Sequence, residues 1–275
     1  MRTWMKRAAA AALLAAPAMA AAAPAAPADM ALWRLDCGSV AVSDLDVFSD
    51  TYAYAGKTKT LTDSCYLIRH GGQYVLWDTG LPGALAGKSE TDGPFTASVK
   101  ERIVDQLARI GVRPEQVTFV GISHRHDDHT GQAADFPGAT LLIGAGDLET
   151  LRKRTPNPLA HWTGGGGKVE ALAGDRDLFG DGSVVLLAMP GHTESHHSLL
   201  VRLPKAGPVL LSGDLYHFEE NRRTRGVPSF NTDRAATLAS MDRFEAIAAR
   251  LKAKVIIQHE PADVAKLPAF PAAAQ

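Results

Sequence analysis

Two cysteines among 275 residues allow at most one internal disulfide, and neither Cys37 nor Cys65 stands where a zinc ligand would be expected. Runs of like charge are absent too. The 29 Lys and Arg face 30 Asp and Glu with no basic patch, so neither nucleic acid nor an anionic membrane surface is an expected partner. No apolar stretch makes a good membrane span, because residues 8–16 are too few and too rich in alanine. The glycines at 164–167 are followed by no Gly-Lys-Ser/Thr and so form no phosphate loop. No nucleotide-binding fingerprint is present, and hydride transfer does not fit.

What is present points to one large domain. Hydrophobic residues make up 45% of the chain, enough for a single sizeable core. Arg2, Lys6 and Arg7 precede an Ala/Leu run and the Ala-x-Ala site Ala18-Met19-Ala20, the pattern of a secretory signal peptide over 1–20. Without those three cations, 26 basic side chains remain against 30 acidic, a net charge of about −4. Residues 21–30 read as a disordered Ala/Pro leader, 31–265 as the folded domain and 266–275 as a tail. Export to the periplasm or beyond would make a Cys37–Cys65 disulfide natural. Both cysteines lie in apolar strand-like segments, however, and two buried free thiols are equally compatible with the sequence.

Along the chain, 32–36 and 39–42 read as a first pair of strands, and 64–69 with 73–77 as a hairpin. Val99, Ile103, Leu107 and Ile110 predict a helix over 96–110, closed by Gly111. Further strands are expected at 117–122, 140–143, 184–188, 198–203, 209–211 and 255–259, with helices at 146–154 and 234–251. Residues 44–62 and 155–168 are irregular, and each reads as a pocket rim or as mere packing and connection.

The densest chemical information is His124-Arg125-His126-Asp127-Asp128-His129. In extended backbone, residues two apart point the same way. A β-branched strand at 117–122 running into this loop would therefore aim His124 and His126 at one point, and Asp128 with His129 at a second. Imidazole and carboxylate suit zinc, with iron, manganese and cobalt as competitors. A solvated polar loop is the ordinary alternative, and the ordered spacing His-x-His-x-Asp-His argues against it.

This motif resembles the metal signature of the metallo-β-lactamase fold superfamily. Downstream segments make residues 37–259 look most similar to the N-acyl homoserine lactone hydrolases within it. The resemblance implies an α/β fold, an αβ/βα four-layer sandwich of two mixed β-sheets with helices outside. It implies one metal held by His124, His126 and His192, the last from Pro190-Gly191-His192-Thr193. Asp128, His129 and His259 would hold a second metal, and Asp214 of Ser212-Gly213-Asp214 would bridge. His196 is expected to be structural, and Asp78 of Asp78-Thr79-Gly80 to hold the histidine loop.

Two zinc ions are the expected cofactors, and a small-molecule ester or lactone the expected partner. Two such cations favour hydrolytic attack on a carbonyl through an oxyanion-like transition state, with Asp128 and Asp214 as catalytic groups. Asp214 argues against a true β-lactamase, since the dinuclear β-lactamases generally lack a bridging carboxylate there. Thioester or β-lactam hydrolysis on the same site is the alternative, and a non-enzymatic periplasmic metal-binding protein is the alternative of another class. In the lactonases a Tyr two or three residues past the bridging Asp helps polarise the lactone carbonyl. Tyr216 lies two past and is the expected group, with His217 three past. Arg125 and Asp127 receive no role. Acyl-chain preference and oligomeric state, monomer or homodimer, stay open.

Overall fold

The computed structural model describes residues 29–275. The expected signal peptide and all but the last two residues of the expected leader lie outside the described residues. The larger sheet contains β1 (Met30–Val42), β2 (Lys59–His70), β3 (Gln73–Trp77), β4 (Lys88–Asp92), β5 (Phe95–Val99), β6 (Val117–Ile122), β7 (Thr140–Gly144) and β8 (Val169–Leu172). The smaller contains β9 (Arg176–Asp177), β10 (Val184–Ala188), β11 (His197–Leu203), β12 (Gly207–Leu211) and β13 (Lys254–Ile256). Their strand orders are β4-β5-β1-β2-β3-β6-β7-β8 and β13-β12-β11-β10-β9. Both are mixed: β3, β6, β7 and β8 run parallel, as do β12 and β13. The helices are α1 (Ile103–Arg109), α2 (Asp127–Thr130), α3 (Ala145–Arg152), α4 (Ala160–Thr163), α5 (Glu219–Thr224), α6 (Arg234–Leu251) and α7 (Pro261–Val264).

Alternation along the strands builds the four layers, because successive side chains face opposite sides of a sheet. On β2, Tyr66 and Ile68 point inward and meet Leu199, Val201, Leu211 and Ile256 of the smaller sheet. Leu67 points outward and packs with Ile103 and Leu107 of α1 and Leu148 and Leu151 of α3. On the far side, Leu200 and Leu210 turn outward onto Met241, Phe244 and Ala248 of α6. The expected sandwich of two mixed sheets between helical layers is therefore the observed fold. The smaller sheet's helix forms as the sequence predicts, over Arg234–Leu251, with the Asp233 carboxylate accepting from the Ala236 amide at 2.9 Å as its N-cap.

Several local expectations are corrected. The first strand is continuous rather than split, because the chain absorbs one extra residue, Cys37, as a bulge next to Gly38 (φ 133°), where the register against β2 shifts. The expected helix over 96–110 begins only at Ile103. Residues 95–99 pair instead with β1 and with β4 across the two-residue loop Gly93-Pro94, whose first position needs the positive φ (53°) that glycine supplies and which outweighs the apolar spacing. The final strand ends at Ile256, so His259 stands beyond the ladder. Residues 155–168 serve as a connector: Trp162 is buried in the outer core and donates to the Ala139 carbonyl at 3.0 Å. Met30, counted with the leader, is buried in β1. The C-terminal segment docks along β1, where Leu32 and Ala274 exchange backbone hydrogen bonds of 2.9 Å. Among the described residues, no helix is long and apolar enough to cross a membrane.

Cys37 on β1 and Cys65 on β2 form a disulfide, which settles the alternative that the sequence leaves open. Closing a loop of 28 residues removes unfolded-state entropy equivalent to about 3.5 kcal/mol. The Cys37→Ser/Cys65→Ser double variant should therefore lose roughly that much stability in a denaturant titration. A loss below about 1 kcal/mol would show that the bridge constrains little.

Candidate metal centre

Strand ends from both sheets deliver the donors to one edge of the sandwich. Two groups form there, His124, His126, His192 and Asp214 in one and Asp128, His129, His259 and Asp214 in the other. All residues expected to hold metal are thus brought together. Asp214 stands between the groups. Its Oδ1 lies 2.9 Å from His259 Nε2 and 3.1 Å from His129 Nε2. Its Oδ2 lies 3.5 Å from His192 Nε2 and 3.7 Å from His124 Nε2.

Local backbone chemistry explains the convergence. Beyond β3, Asp78 adopts a left-handed conformation (φ 57°) and turns its buried carboxylate onto the histidine loop. Its Oδ1 accepts from the Ser123 amide at 2.7 Å, and its Oδ2 accepts from His129 Nδ1 and Gln258 Nε2, each at 2.9 Å. That fixes the His129 tautomer and leaves Nε2 facing inward. Asp78 therefore braces the loop as expected. Gly131 follows α2 at a point where a Cβ would lie 2.3 Å from the Pro82 nitrogen, so only glycine lets the two loops touch. His259 is turned the same way as His129, with Nδ1 donating to the Thr62 carbonyl at 2.8 Å.

His196 is structural, as expected. Its Nδ1 donates to the Met189 carbonyl at 3.1 Å and its Nε2 accepts from the Asp214 amide at 2.9 Å. Gly213 (φ 55°) makes that approach possible, since a Cβ there would meet His196 Nε2 at 2.5 Å. His197 turns to the Ser195 and Gly174 carbonyls, away from the donor groups.

The expectation for Tyr216 is corrected. Its ring is buried against Phe244, and its hydroxyl donates to Glu245 Oε1 at 3.0 Å, so it faces α6 rather than the site. His217 occupies the pocket instead, with Nε2 3.1 Å from Asp214 Oδ2. Turning one residue along extended backbone reverses the side chain, which is why the neighbour two past the Asp points outward.

The donor chemistry fits cations. His124 Nε2 lies 2.9 Å from His126 Nδ1 and 3.2 Å from His192 Nε2, so ring nitrogens face ring nitrogens around a shared point. Burial and neighbouring imidazoles push His124 and His192 well below the ordinary range, which leaves lone pairs available. Burial also acts to lower His129 and His259, but the Asp214 carboxylate and other acidic neighbours outweigh it. His129 is held well above its usual value and His259 is lifted to about 9. Burial would favour protonated Asp214, yet His259, His129, His217 and His124 hold it well below the carboxylate range. With no ion, protonated imidazoles thus supply the positive charge that the carboxylates require.

A cavity of about 430 Å³ opens onto these groups, bounded by Val40, Phe48, Leu61, Leu81, Phe95 and Phe230. Phe48, from the irregular segment 44–62, makes that segment part of the rim. Phe230 is 44% exposed and stands edge-on to Phe48, His192 and His217. Asp92, Asp127 and Asp128 also line the cavity, and no Lys or Arg does among the described residues. Sequence reasoning missed Phe230 and Gln258. The buried Gln258 accepts from Trp77 Nε1 and the Gly213 amide, both at 3.0 Å. Its only signal was an amide closing the apolar run Val255-Ile256-Ile257 beside His259.

Comparison with known proteins agrees with this geometry. The family profile of the metallo-beta-lactamase superfamily matches residues 60–259. The chain is 32% identical over 211 residues to the N-acyl homoserine lactonase AttM of Azorhizobium caulinodans, covering 71% of this chain and 78% of that one. Its fold is similar to the crystal structure of a quorum-quenching N-acyl homoserine lactone hydrolase, with a TM-score of 0.77, 24% identity, and coverage of 89% and 98%. It is also similar to AidC, described as a dizinc quorum-quenching lactonase, with a TM-score of 0.64, 17% identity, and coverage of 89% and 90%.

A proton count tests the donor assignment. His259, lifted to about 9, is protonated at pH 7 and must lose that proton to ligate through Nε2. Zinc binding to the metal-free protein should therefore release protons at pH 7 and fewer near pH 10. Calorimetric heats measured in buffers of different ionisation enthalpy give the number. Equal heats in all buffers at pH 7 would show that neither His129 nor His259 carries the proton that ligation through Nε2 must displace.

Proposed function

Because the chain belongs to the metallo-beta-lactamase superfamily, we propose that it is a dinuclear zinc hydrolase that opens the lactone ring of N-acyl homoserine lactones. The observation that carries this reading is the apolar cavity meeting the paired donor groups, with no Lys or Arg among the described residues that line it. An acyl chain suits Val40, Leu61, Leu81 and the three phenylalanines. β-Lactams and glutathione thioesters bring their own carboxylates, which would face Asp92, Asp127 (paired with Arg154) and Asp128 with no Lys or Arg among the described lining residues to receive them. The relative AttM and the dizinc AidC, each named as a lactonase, support the same substrate and metal.

His124, His126 and His192 would hold one zinc, Asp128, His129 and His259 the other, with Asp214 between them. When bound, the two ions would supply Lewis-acid polarisation and acidified water. The chain's own side chains supply the rest. The cavity wall excludes water from the acyl chain and orients the ring toward the donors. His217 lines the cavity with Nε2 3.1 Å from Asp214 Oδ2. It would turn that N–H from the carboxylate to the carbonyl oxygen as charge develops there, once Asp214 is engaged by the metals. Asp128 is 28% exposed. Its carboxylate takes a proton from the attacking water and returns it to the departing alkoxide, so that lactone and water become a hydroxy acid. The signal-like segment 1–20 and the Cys37–Cys65 disulfide support an exported enzyme.

Acid release from an N-acyl homoserine lactone, followed with and without a chelator, tests the reading directly. Rapid release that the chelator stops is expected. A protein that carries two metals yet hydrolyses only thioesters or β-lactams would overturn the substrate, and one that hydrolyses nothing would overturn the enzyme. Within this mechanism, His217→Phe should lower kcat about 100-fold with both metals retained. Tyr216→Phe should change kcat by less than about threefold, as expected of a phenol committed to Glu245. The reverse ranking, measured by steady-state kinetics beside metal analysis, would return the role to Tyr216.

A further inference from the structure

Arg125 lies between two metal-site histidines and has no part in the reading above, and Asp147 lies at the start of α3, outside the donor groups. Asp147 is fully buried. Its Oδ1 accepts from Arg125 Nη1 at 2.9 Å, and its Oδ2 accepts from Thr193 Oγ1 at 2.8 Å and Ser195 Oγ at 3.2 Å. In return, the Asp147 amide donates to Ser195 Oγ at 2.9 Å. Arg125 Nη1 also donates to Glu194. One carboxylate thus ties the residue between His124 and His126 to the residue following His192. These segments leave different sheets, the first after β6 and the second after β10.

The need for such a tie follows from the ring contacts. His124 Nδ1 is anchored at Ser123 Oγ, His129 Nδ1 at Asp78 and His259 Nδ1 at the Thr62 carbonyl. His192 Nδ1 is buried with no hydrogen-bond partner. Its ring is packed edge-on against His124, His126, His217 and Phe230 without a hydrogen bond at Nδ1. Its hydrogen-bonded anchoring therefore comes through the backbone, where the Thr232 amide donates to the His192 carbonyl at 3.2 Å and the next residue, Thr193, is tied to Asp147. Close packing reinforces the tie: a Cβ on Gly144 would lie 2.1 Å from the Ser195 carbonyl oxygen, so α3 and the 193–195 turn meet without a gap.

We propose that Arg125 and Asp147 are positioning residues that latch the His124–His126 and His192 segments together, and so set the affinity of the first metal site alone. The proposal rests on the dinuclear reading above. The second group is braced separately, by Asp78 and Gln258, and does not depend on the latch.

Metal affinity measured without any substrate is the test. The mature protein is stripped of metal and titrated with zinc against a chromogenic chelator, with thermal unfolding of the metal-free form as the folding control. Arg125→Ala and Thr193→Val should each weaken one site about 10–100-fold and leave the other within about threefold. The weakened site should be the one that His192→Ala abolishes. Thr193→Ser, which keeps the hydroxyl, should restore wild-type affinity. If Arg125→Ala does not fold, the nearly isosteric Thr193→Val decides by the same readout. Two full-affinity sites in folded variants, or equal weakening of both sites, would overturn the latch and leave the metal reading standing. A wild-type protein that takes up no zinc would overturn both.

Discussion

Asp214 is a buried carboxylate that faces five imidazoles, those of His124, His129, His192, His217 and His259. Moving such a charge out of water costs several kcal/mol unless opposite charge and hydrogen bonds compensate. Much of the site's architecture is compensation for this one group. The His196 imidazole receives its amide, and Gly213 lets that imidazole come close. Because each oxygen addresses a different donor group, both sheets must end at the same edge.

Two separate braces make that meeting exact enough for coordination. Around the second group, Asp78 and Gln258 form a buried lattice joining the end of β3, the histidine loop, the Asp214 turn and the segment after β13. Around the first, Asp147 spans the two sheets from the outer helical layer. Both braces are carboxylates satisfied by three or more donors, the condition under which burial rigidifies rather than destabilises. Neither shares a hydrogen bond with the other.

What could be read from the chain in advance follows the range of the forces involved. The donors were legible because coordination demands particular side chains at particular spacings, and His-x-His-x-Asp-His with its downstream partners has few other uses. The helix at 234–251 was legible because its whole apolar face repeats. The hairpin of β4 and β5 was not, because four apolar residues at helical spacing masked a Gly93-Pro94 turn. Tyr216 was misassigned for a subtler reason. A one-residue ambiguity along extended backbone inverts a side chain, and composition could not say whether position 216 or 217 faced the cavity. Gln258, Asp147 and Phe230 act through contacts with residues far away in sequence, so their local context held almost no trace of them.

The cavity's phenylalanines come from places that bear no metal donor. Phe48 belongs to the turn after β1, Phe95 to a hairpin at the sheet margin and Phe230 to the stretch before α6. None of the three is itself a charge, a brace or a ligand, although Phe48 packs on His217 and Phe230 stands edge-on to His126 and His192. The molecule is thereby divided into a part that holds the metal donors in place and a part that shapes the space the substrate enters. A lineage carrying this fold can explore new substrates by drift in the second part while the first stays constant. The same division tells an engineer where to randomise.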